Sequence, residues 1–213
     1  MSVKPFCFTA TALVALATFS HGAMALDPSF DCAKAQSSAE EAVCSSDALA
    51  ALDLELARLY EAASGGPNMD ADGLATLKAT QRGWIKGRDA CWTSDMGVPL
   101  CTANEYAFRI SELRQGYADA RAEEGASLGP VPYRCDGRED TISATFVNTL
   151  EPMVVLRWGE NAVVLPQVVA ASGAKYASDA WYGGPALFWT KGREAQFAAP
   201  GGDDTSCQQD DIG

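Results

Sequence analysis

The chain contains 213 residues, of which 28 are acidic and 16 are lysine or arginine, so its formal net charge at pH 7 is −12. Charge of this sign disfavours nucleic acid and anionic membrane surfaces as partners. It favours a basic partner, although acidity is also common among exported proteins that bind nothing basic.

The first 25 residues have the order of a secretory signal peptide. Lys4 precedes an apolar run over residues 6–19, and Ala23-Met24-Ala25 has the small-residue spacing of a cleavage site. The apolar run is shorter than the roughly 20 residues of a spanning helix. No small-residue box precedes Cys32, so we expect no lipid or membrane anchor. The sequence therefore predicts a periplasmic protein that is cleaved after Ala25.

Removal of this segment takes away His21, the single histidine of the chain. A mature chain without histidine has no Ser-His or Cys-His nucleophile pair and no imidazole ligand for a metal. We therefore expect no metal site, no cofactor and no ordinary hydrolase chemistry.

Cleavage also removes Cys7 and leaves six cysteines, an even number in a chain bound for an oxidising compartment. Disulfides are favoured over metal ligation in that setting. Four of the cysteines precede a long gap in the sequence and two follow it. If no disulfide spans that gap, Cys135 pairs with Cys207, and this bond should stabilise the fold by about 4 kcal/mol in the chain-entropy model. The other four allow three connectivities, of which we favour Cys32 with Cys44 and Cys91 with Cys101.

Apolar residues at helical spacing predict three helices within residues 27–125. Asp47 is the expected N-cap of the first helix, which should stop at Gly65-Gly66-Pro67. The region is expected to be a small helical bundle stapled by disulfides. The three helical stripes are Leu49, Leu52, Leu56, Leu59 and Tyr60; Leu74, Leu77, Gln81, Trp84, Ile85 and Arg88; and Tyr106, Ile110, Leu113 and Tyr117.

Residues 126–132 are rich in glycine, serine and proline, which predicts a linker. Beyond it the hydrophobic period changes from helical to alternating, and short β-rich runs are separated by turn residues. These runs are at 142–146, 153–158, 162–168, 186–190 and 195–197. We expect a small antiparallel β-barrel over 133–208, a tail over 209–213, and thus a two-domain α+β fold.

The second domain resembles the bacterial inhibitors of c-type lysozyme known as MliC and PliC. Residues 133–137 are similar to the opening strand of that family, and residues 165–168 to the strand before its first motif. Residues 172–176 match its S-G-x-x-Y motif, and residues 189–195 contain its K-G-x-x-A motif. Cys207 also lies where the family has a closing cysteine. The stretch between Tyr176 and Trp189 is a few residues longer than usual.

The first domain resembles the helical module called the lysozyme inhibitor LprI N-terminal-like domain. The resemblance is carried by residues 30–35, 40–44, 81–84, 88–91 and 109–113. That module occurs in many exported proteins, so it implies less about function than the barrel does.

The barrel resemblance implies that the chain inhibits a c-type lysozyme and is not an enzyme. The Ser172 and Lys191 loops would enter the lysozyme cleft and mask its two catalytic carboxyl groups. The resemblance gives Ser172, Gly173, Tyr176, Lys191 and Gly192 as the lysozyme-binding set. Tyr176, like Trp189, is more typical of a core aromatic than of a direct contact.

Two other functions fit parts of the sequence. Ser172 and Lys175 have the S-x-x-K spacing of serine acyl-enzymes, but those enzymes place the pair at a helix start. Thr190-Lys191-Gly192 also reverses their K-T-G motif. The other alternative is a periplasmic binding or envelope-stress module that does not inhibit lysozyme.

Overall fold

The computed structural model describes Met1, residues 26–181 and residues 183–210. The predicted cleavage site, Cys7 and His21 lie outside the described residues. Helices and strands follow one another in two separate runs, which confirms the α+β class. The helices are α1 (Ser38–Cys44), α2 (Asp47–Gly65), α3 (Ala71–Asp89), α4 (Val98–Gly116) and α5 (Ala118–Ala122), with 3-10 turns at Cys32–Lys34 and Ala90–Thr93.

Helix α2 is the first of the three helices that the sequence predicts. Its N-cap is Ser46, whose hydroxyl accepts a hydrogen bond from the Leu49 amide at 3.4 Å. The expectation that Asp47 is the cap is therefore wrong. Asp47 is the first helical residue, and its carboxylate accepts a hydrogen bond from the Leu26 amide at 2.8 Å. Gly66 follows the last helical residue, as the glycine-proline signal predicts.

The core of the bundle lies between α2 and α4. The leucines of the α2 stripe, at 49, 52, 56 and 59, are buried, as are Tyr106, Ile110 and Leu113 of α4. On α3 only Leu77 of the predicted apolar residues is fully buried, and Ile85 remains 37% exposed. The reason is that α3 packs mainly against a single helix, α4, so most of its surface faces solvent.

Disulfides join Cys32 to Cys44 and Cys91 to Cys101 in the helical region, and Cys135 to Cys207 in the barrel. These are the pairs that the spacing favours.

Charged residues from the segments that carry the LprI resemblance form a partly buried network. The Arg88 guanidinium donates to Asp89 at 2.7 Å, to Glu40 at 3.2 Å and to the Tyr106 hydroxyl at 3.1 Å. Tyr106 in turn donates to Asp53 at 2.8 Å. The network links α1, α2, α3 and α4, so these residues serve the fold of the bundle.

Eight strands form a closed antiparallel barrel in which each pairs with the next and β8 returns to β1. Alternate residues point inward, where Ile142, Leu156, Leu165, Phe188 and Phe197 fill the interior. The strands are β1 (Ser127–Cys135), β2 (Thr141–Val147), β3 (Met153–Trp158), β4 (Asn161–Val168), β5 (Ala174–Ser178), β6 (Ala186–Lys191), β7 (Glu194–Ala198) and β8 (Thr205–Gln209).

Residues 127–132, where the sequence predicts a linker, instead form the first part of β1. Glycine and proline are tolerated there because the strand is irregular, and its register with β2 shifts between Leu128 and Val131. At the other end, β8 reaches Gln209, one residue into the predicted tail.

Helix α4 packs across the outer face of β1 to β4. Outward-facing Val147, Met153, Val155 and Val164 belong to the same apolar cluster as the α2 and α4 core residues. Ser111 of α4 and Thr145 of β2 share a fully buried hydrogen bond of 3.1 Å. The bundle and the barrel therefore share a core.

Arg114 is the main polar group at this junction and is 2% exposed. Its Nε donates to the Gly129 carbonyl at 2.9 Å, and its Nη1 to the Ser127 hydroxyl at 3.3 Å. The Ser127 hydroxyl also donates to Glu55 on α2. The junction thus joins α2, α4 and β1 through buried, charge-assisted hydrogen bonds.

The stretch that is longer than usual for the resembled family contacts both parts of the molecule. The Trp181 indole nitrogen donates to the Val164 carbonyl at 2.8 Å. Its ring meets Phe108 of α4 edge-on, with centroids 6.1 Å apart. Trp181 therefore extends the contact between the barrel and the helices.

Arg114→Met should lower the free energy of unfolding by about 3 kcal/mol, because it removes the donor from the carbonyl groups of Gly129, Arg121 and Glu123 and from the Ser127 hydroxyl. Urea unfolding followed by tryptophan fluorescence measures this change. Arg82→Met is the matched control, since Arg82 is exposed on α3, and it should change stability by less than about 0.5 kcal/mol. Equal effects of the two substitutions would contradict the assigned role of Arg114.

Glu55 makes stability depend on pH. Burial alone raises its pKa, but hydrogen bonds from Arg58 and Ser127 and the charge of Arg58 outweigh burial and hold the pKa below 4.5. The carboxylate therefore stabilises the fold fully above pH 4.5, and this contribution is lost as the pH falls through the lowered pKa.

We accordingly expect the melting-temperature gap between the parent and Glu55→Gln to narrow as the pH is lowered from 7 towards the lowered pKa of Glu55. Thermal denaturation at a series of pH values checks this, and a constant gap would contradict it.

Candidate functional site

The Ser172 and Lys191 segments lie side by side at one end of the barrel. Ser172 belongs to the β4–β5 loop, and Lys191 is the last residue of β6 before the turn to β7. Strands β5 and β6 pair antiparallel, with Ala174 opposite Thr190. Pairing therefore places the end of the first loop beside the start of the second, and Ser172 and Lys191 are both exposed.

Gly173 allows the two loops to approach closely. It has φ +67°, in the left-handed region that favours glycine. A Cβ at this position would overlap the Thr190 carbonyl oxygen. Gly192 also has a positive φ, +64°, but a Cβ there would meet open space.

Trp189 fixes the position of the first loop. Its indole nitrogen donates a hydrogen bond of 2.8 Å to the Ser172 carbonyl. On the other side of the ring system, the Lys175 ammonium lies 5.4 Å from the ring centroid, a cation–π distance. Trp189 thus holds Ser172 and orients a second cation from the neighbouring strand.

The two segments border a shallow groove of about 490 Å³ on the outer face of β6, β7, β8 and β1. In a ring of eight strands, β6 and β7 lie across from β2 and β3, where α4 packs. The helices therefore leave the groove uncovered. Its lining residues are Arg134, Asp136, Ser172, Trp189, Lys191, Glu194, Ala195, Gln196, Ser206, Cys207 and Gln208.

The groove is lined by two cations, Arg134 and Lys191, and by two carboxylates, Asp136 and Glu194. Arg134 pairs with Asp210, whereas no ion pair holds Lys191 within residues 26–181 and 183–210.

Tyr176 does not share this exposure, although the resemblance places it in the binding set. It is 3% exposed, because its position on β5 points into the barrel. Its ring lies 5.9 Å from that of Phe146, and burial raises the pKa of its hydroxyl. The side chain is therefore nearly inaccessible in this structure, and a contact of Tyr176 with a partner stays a prediction.

The residues with S-x-x-K spacing, Ser172 and Lys175, do not lie at the start of a helix. Ser172 lies in a loop and Lys175 in β5, with its ammonium over Trp189. The local geometry thus lacks the feature that acyl-enzymes with this spacing need.

Sequence reasoning missed the polar floor of the groove, which is formed by Gln196 of β7 and by Ser206 and Gln208 of β8. Along each strand they alternate with residues that point into the barrel, namely Ala195, Phe197 and Cys207. This alternation indicates that Gln196, Ser206 and Gln208 face outward. The pairing of β7 with β8 was needed to bring them to the same place.

Comparison with curated proteins finds the lipoproteins LprI of Mycobacterium tuberculosis and Mycobacterium bovis. Each is 30% identical over 150 residues, which is 70% of this chain and 70% of the relative. The chain belongs to the LprI family. Within this LprI-family chain, the family model "Lysozyme inhibitor LprI" matches residues 32–113. A second model, "Membrane-bound lysozyme-inhibitor of c-type lysozyme", matches residues 133–206.

Among solved structures, the LprI-family chain is 30% identical to a protein in a crystal structure of Pseudomonas aeruginosa MliC in complex with hen egg white lysozyme. The match covers 39% of this chain and 80% of that one, with a TM-score of 0.31. The two family models agree with the resemblance of each domain. Within the described part of this LprI-family chain, no helix is long and apolar enough to cross a membrane.

Gly173→Ala should lower stability by about 2 kcal/mol or more, because it combines an unfavourable φ with a clash against Thr190. Gly192→Ala is the matched control: it has the same backbone strain without the clash and should cost about 1 kcal/mol. Thermal denaturation of both variants tests the difference. Equal losses would mean that close approach of the two loops does not require glycine at 173.

Proposed function

We propose that this protein inhibits c-type lysozyme by inserting the Ser172 and Lys191 loops into the active-site cleft of the enzyme. The observation that carries the proposal is that both residues are exposed at the rim of one groove, on the side of the barrel that the helices leave open. The two family models, both of lysozyme inhibitors, support the same conclusion.

A c-type lysozyme has two carboxyl groups in its cleft, one protonated and one ionised. The Lys191 ammonium supplies three donors and a positive charge, and the Ser172 hydroxyl can donate or accept. These groups can satisfy the cleft oxygens without presenting a glycosidic bond. Bound in this way, the protein blocks substrate and offers nothing to hydrolyse.

The charge interaction is not the main source of affinity. An ammonium and a carboxylate about 4 Å apart attract by roughly 4 kcal/mol at an effective dielectric of about 20, before desolvation is subtracted. Desolvation cancels much of that gain. Lys191 therefore contributes mainly to specificity, and the surrounding buried area supplies the rest of the binding free energy.

Net charge assists encounter. Removal of Lys4, the only charged residue of the predicted signal peptide, lowers the charge from −12 to −13. A basic lysozyme is attracted to such a protein over long distances, so association should slow as salt is added. At the groove itself, the exposed ammonium of Lys191 would meet the acidic cleft.

The proposed setting is the periplasm, with cleavage after Ala25. The disulfides are consistent with an oxidising compartment. We propose a helical domain over residues 26–126 and a barrel domain over 127–210. An inhibitor without its own catalysis is supported by the absence of histidine after residue 21 and by the commitment of the six cysteines to bridges.

Lys191→Ala and Ser172→Ala should each weaken inhibition, by roughly tenfold or more for Lys191, because they remove the groups that meet the cleft carboxyls. Clearing of a peptidoglycan suspension by hen egg-white lysozyme measures inhibition. Both variants should melt within about 2 °C of the parent, since both residues are exposed.

Lys78→Ala is the matched control, because it removes an equally exposed ammonium from α3. It should inhibit as well as the parent. If Lys191→Ala inhibited equally well, insertion of the loop would be ruled out. If the parent did not inhibit at all, a periplasmic module without this activity would be the better description.

A further inference from the structure

Several large apolar side chains are exposed close to the Ser172 loop. Val169 is fully exposed, Leu150 is 64% exposed, Leu100 is 41% exposed and Val168 is 37% exposed. Together with exposed Pro166 they form what we call the apolar end surface. Apolar side chains clustered at one place on a soluble protein mark a contact with a partner more often than singly scattered ones do.

The apolar end surface is built jointly by the two domains. Leu100 from α4, Leu150 from the β2–β3 loop and Pro166 from β4 line one cavity of about 340 Å³. A hydrogen bond of 2.8 Å from the Gln167 amide to the Pro152 carbonyl holds the loop against β4. Glu151 is the only charged residue among those that line it.

This surface adjoins the proposed inhibitory loops. Connections in an up-and-down barrel alternate between its two ends, so the loops at 148–152, 169–173 and 192–193 leave the same end. Val169 lies three residues before Ser172, and Val168 pairs with Lys175. The apolar residues thus continue directly from the β4–β5 loop towards the start of α4.

We propose that the lysozyme held by the Ser172 and Lys191 loops also rests on the apolar end surface, and that Leu100 brings the helical domain into the interface. This inference depends on the proposed function and adds a second contact to it. The role of the helical domain is then to widen the surface that binds the enzyme.

Interface size supports one occupant for both regions. A standard interface buries about 800 Å² on each partner, equivalent to a disc of about 16 Å radius. Neighbouring strands lie about 4.8 Å apart, so β3 and β6 are separated by at most about 14 Å. One interface of standard size is therefore wide enough to extend from Lys191 over Val169 towards Leu150.

The chemistry fits the same partner. The central part of a protein interface is depleted of charge and rich in apolar contacts, with charged groups at its rim. Glu151, which lines the same cavity, has the sign of charge that a basic lysozyme would meet favourably.

The test measures the dissociation constant of the chain from Leu26 onward for hen egg-white lysozyme. The double variant Leu150→Ser/Val169→Ser should raise it about tenfold, and Leu100→Gln about threefold. Ile85→Gln is the matched control, because Ile85 is 37% exposed on α3, which packs away from the barrel. It should bind as the parent does, and all variants should melt within about 2 °C of it.

The outcomes separate this inference from the proposed function. If the apolar variants bind like the parent while Lys191→Ala binds weakly, the second contact is overturned and the inhibitory loops stand. If the parent itself does not bind lysozyme, both proposals fail.

Two further measurements examine other occupants. Light scattering tests for a dimer. If the parent is a dimer and Leu150→Ser is a monomer, the surface binds a second copy of the chain. Sedimentation with vesicles of phosphatidylglycerol and phosphatidylethanolamine tests for lipid binding. If the parent sediments with the vesicles and Val169→Ser does not, the surface binds lipid. Either result overturns the inference, and a monomer that ignores vesicles supports it.

Discussion

The packing of α4 against β1 to β4 determines how the whole molecule is arranged. Outward-facing valines of the barrel complete the core of the helical bundle, so neither part buries its apolar surface without the other. Arg114 makes this contact specific, because its hydrogen bonds to Ser127 and Gly129 require one position of α4 relative to β1. Since the helices occupy one side of the barrel, the groove on the opposite side remains open.

The groove shows how a small barrel can present flexible side chains from a rigid base. Gly173 lets two loops touch, and Trp189 ties the first loop to the strand that carries the second. Ordering of these loops before binding reduces the entropy that association would otherwise cost. The flexible part is then limited to side chains such as that of Lys191.

Much of this arrangement could be predicted from the sequence. Alternation and helical periodicity are local signals, and they identified the longer helices and most strands. The stretch at 127–132 was misread because glycine and proline usually end a strand, whereas here Arg114 and the β2 pairing stabilise it from outside. The predicted N-cap of α2, Asp47, lies one residue after the observed cap, Ser46, because serine and aspartate are both good N-cap residues.

The site was predictable only as far as the motifs extend. Ser172 and Lys191 were found from residue patterns, and their loops become neighbours through a single strand pairing. The groove floor depends on β7 and β8, and the apolar end surface depends on α4 meeting the barrel. Such contacts join residues that are far apart in the chain, and the spacing of residues along the sequence does not predict them.

Strand β8 pairs with β1, and the bridge from Cys135 to Cys207 lies across that pairing. Synthesis proceeds from the N-terminus, so β1 is made long before β8. Until the last strand emerges, β1 has one edge open, and an open edge can recruit a strand from another molecule. Helix α4 precedes β1 in the chain and packs on its outer face, so early packing of the two would hold β1 in place until β8 closes the barrel.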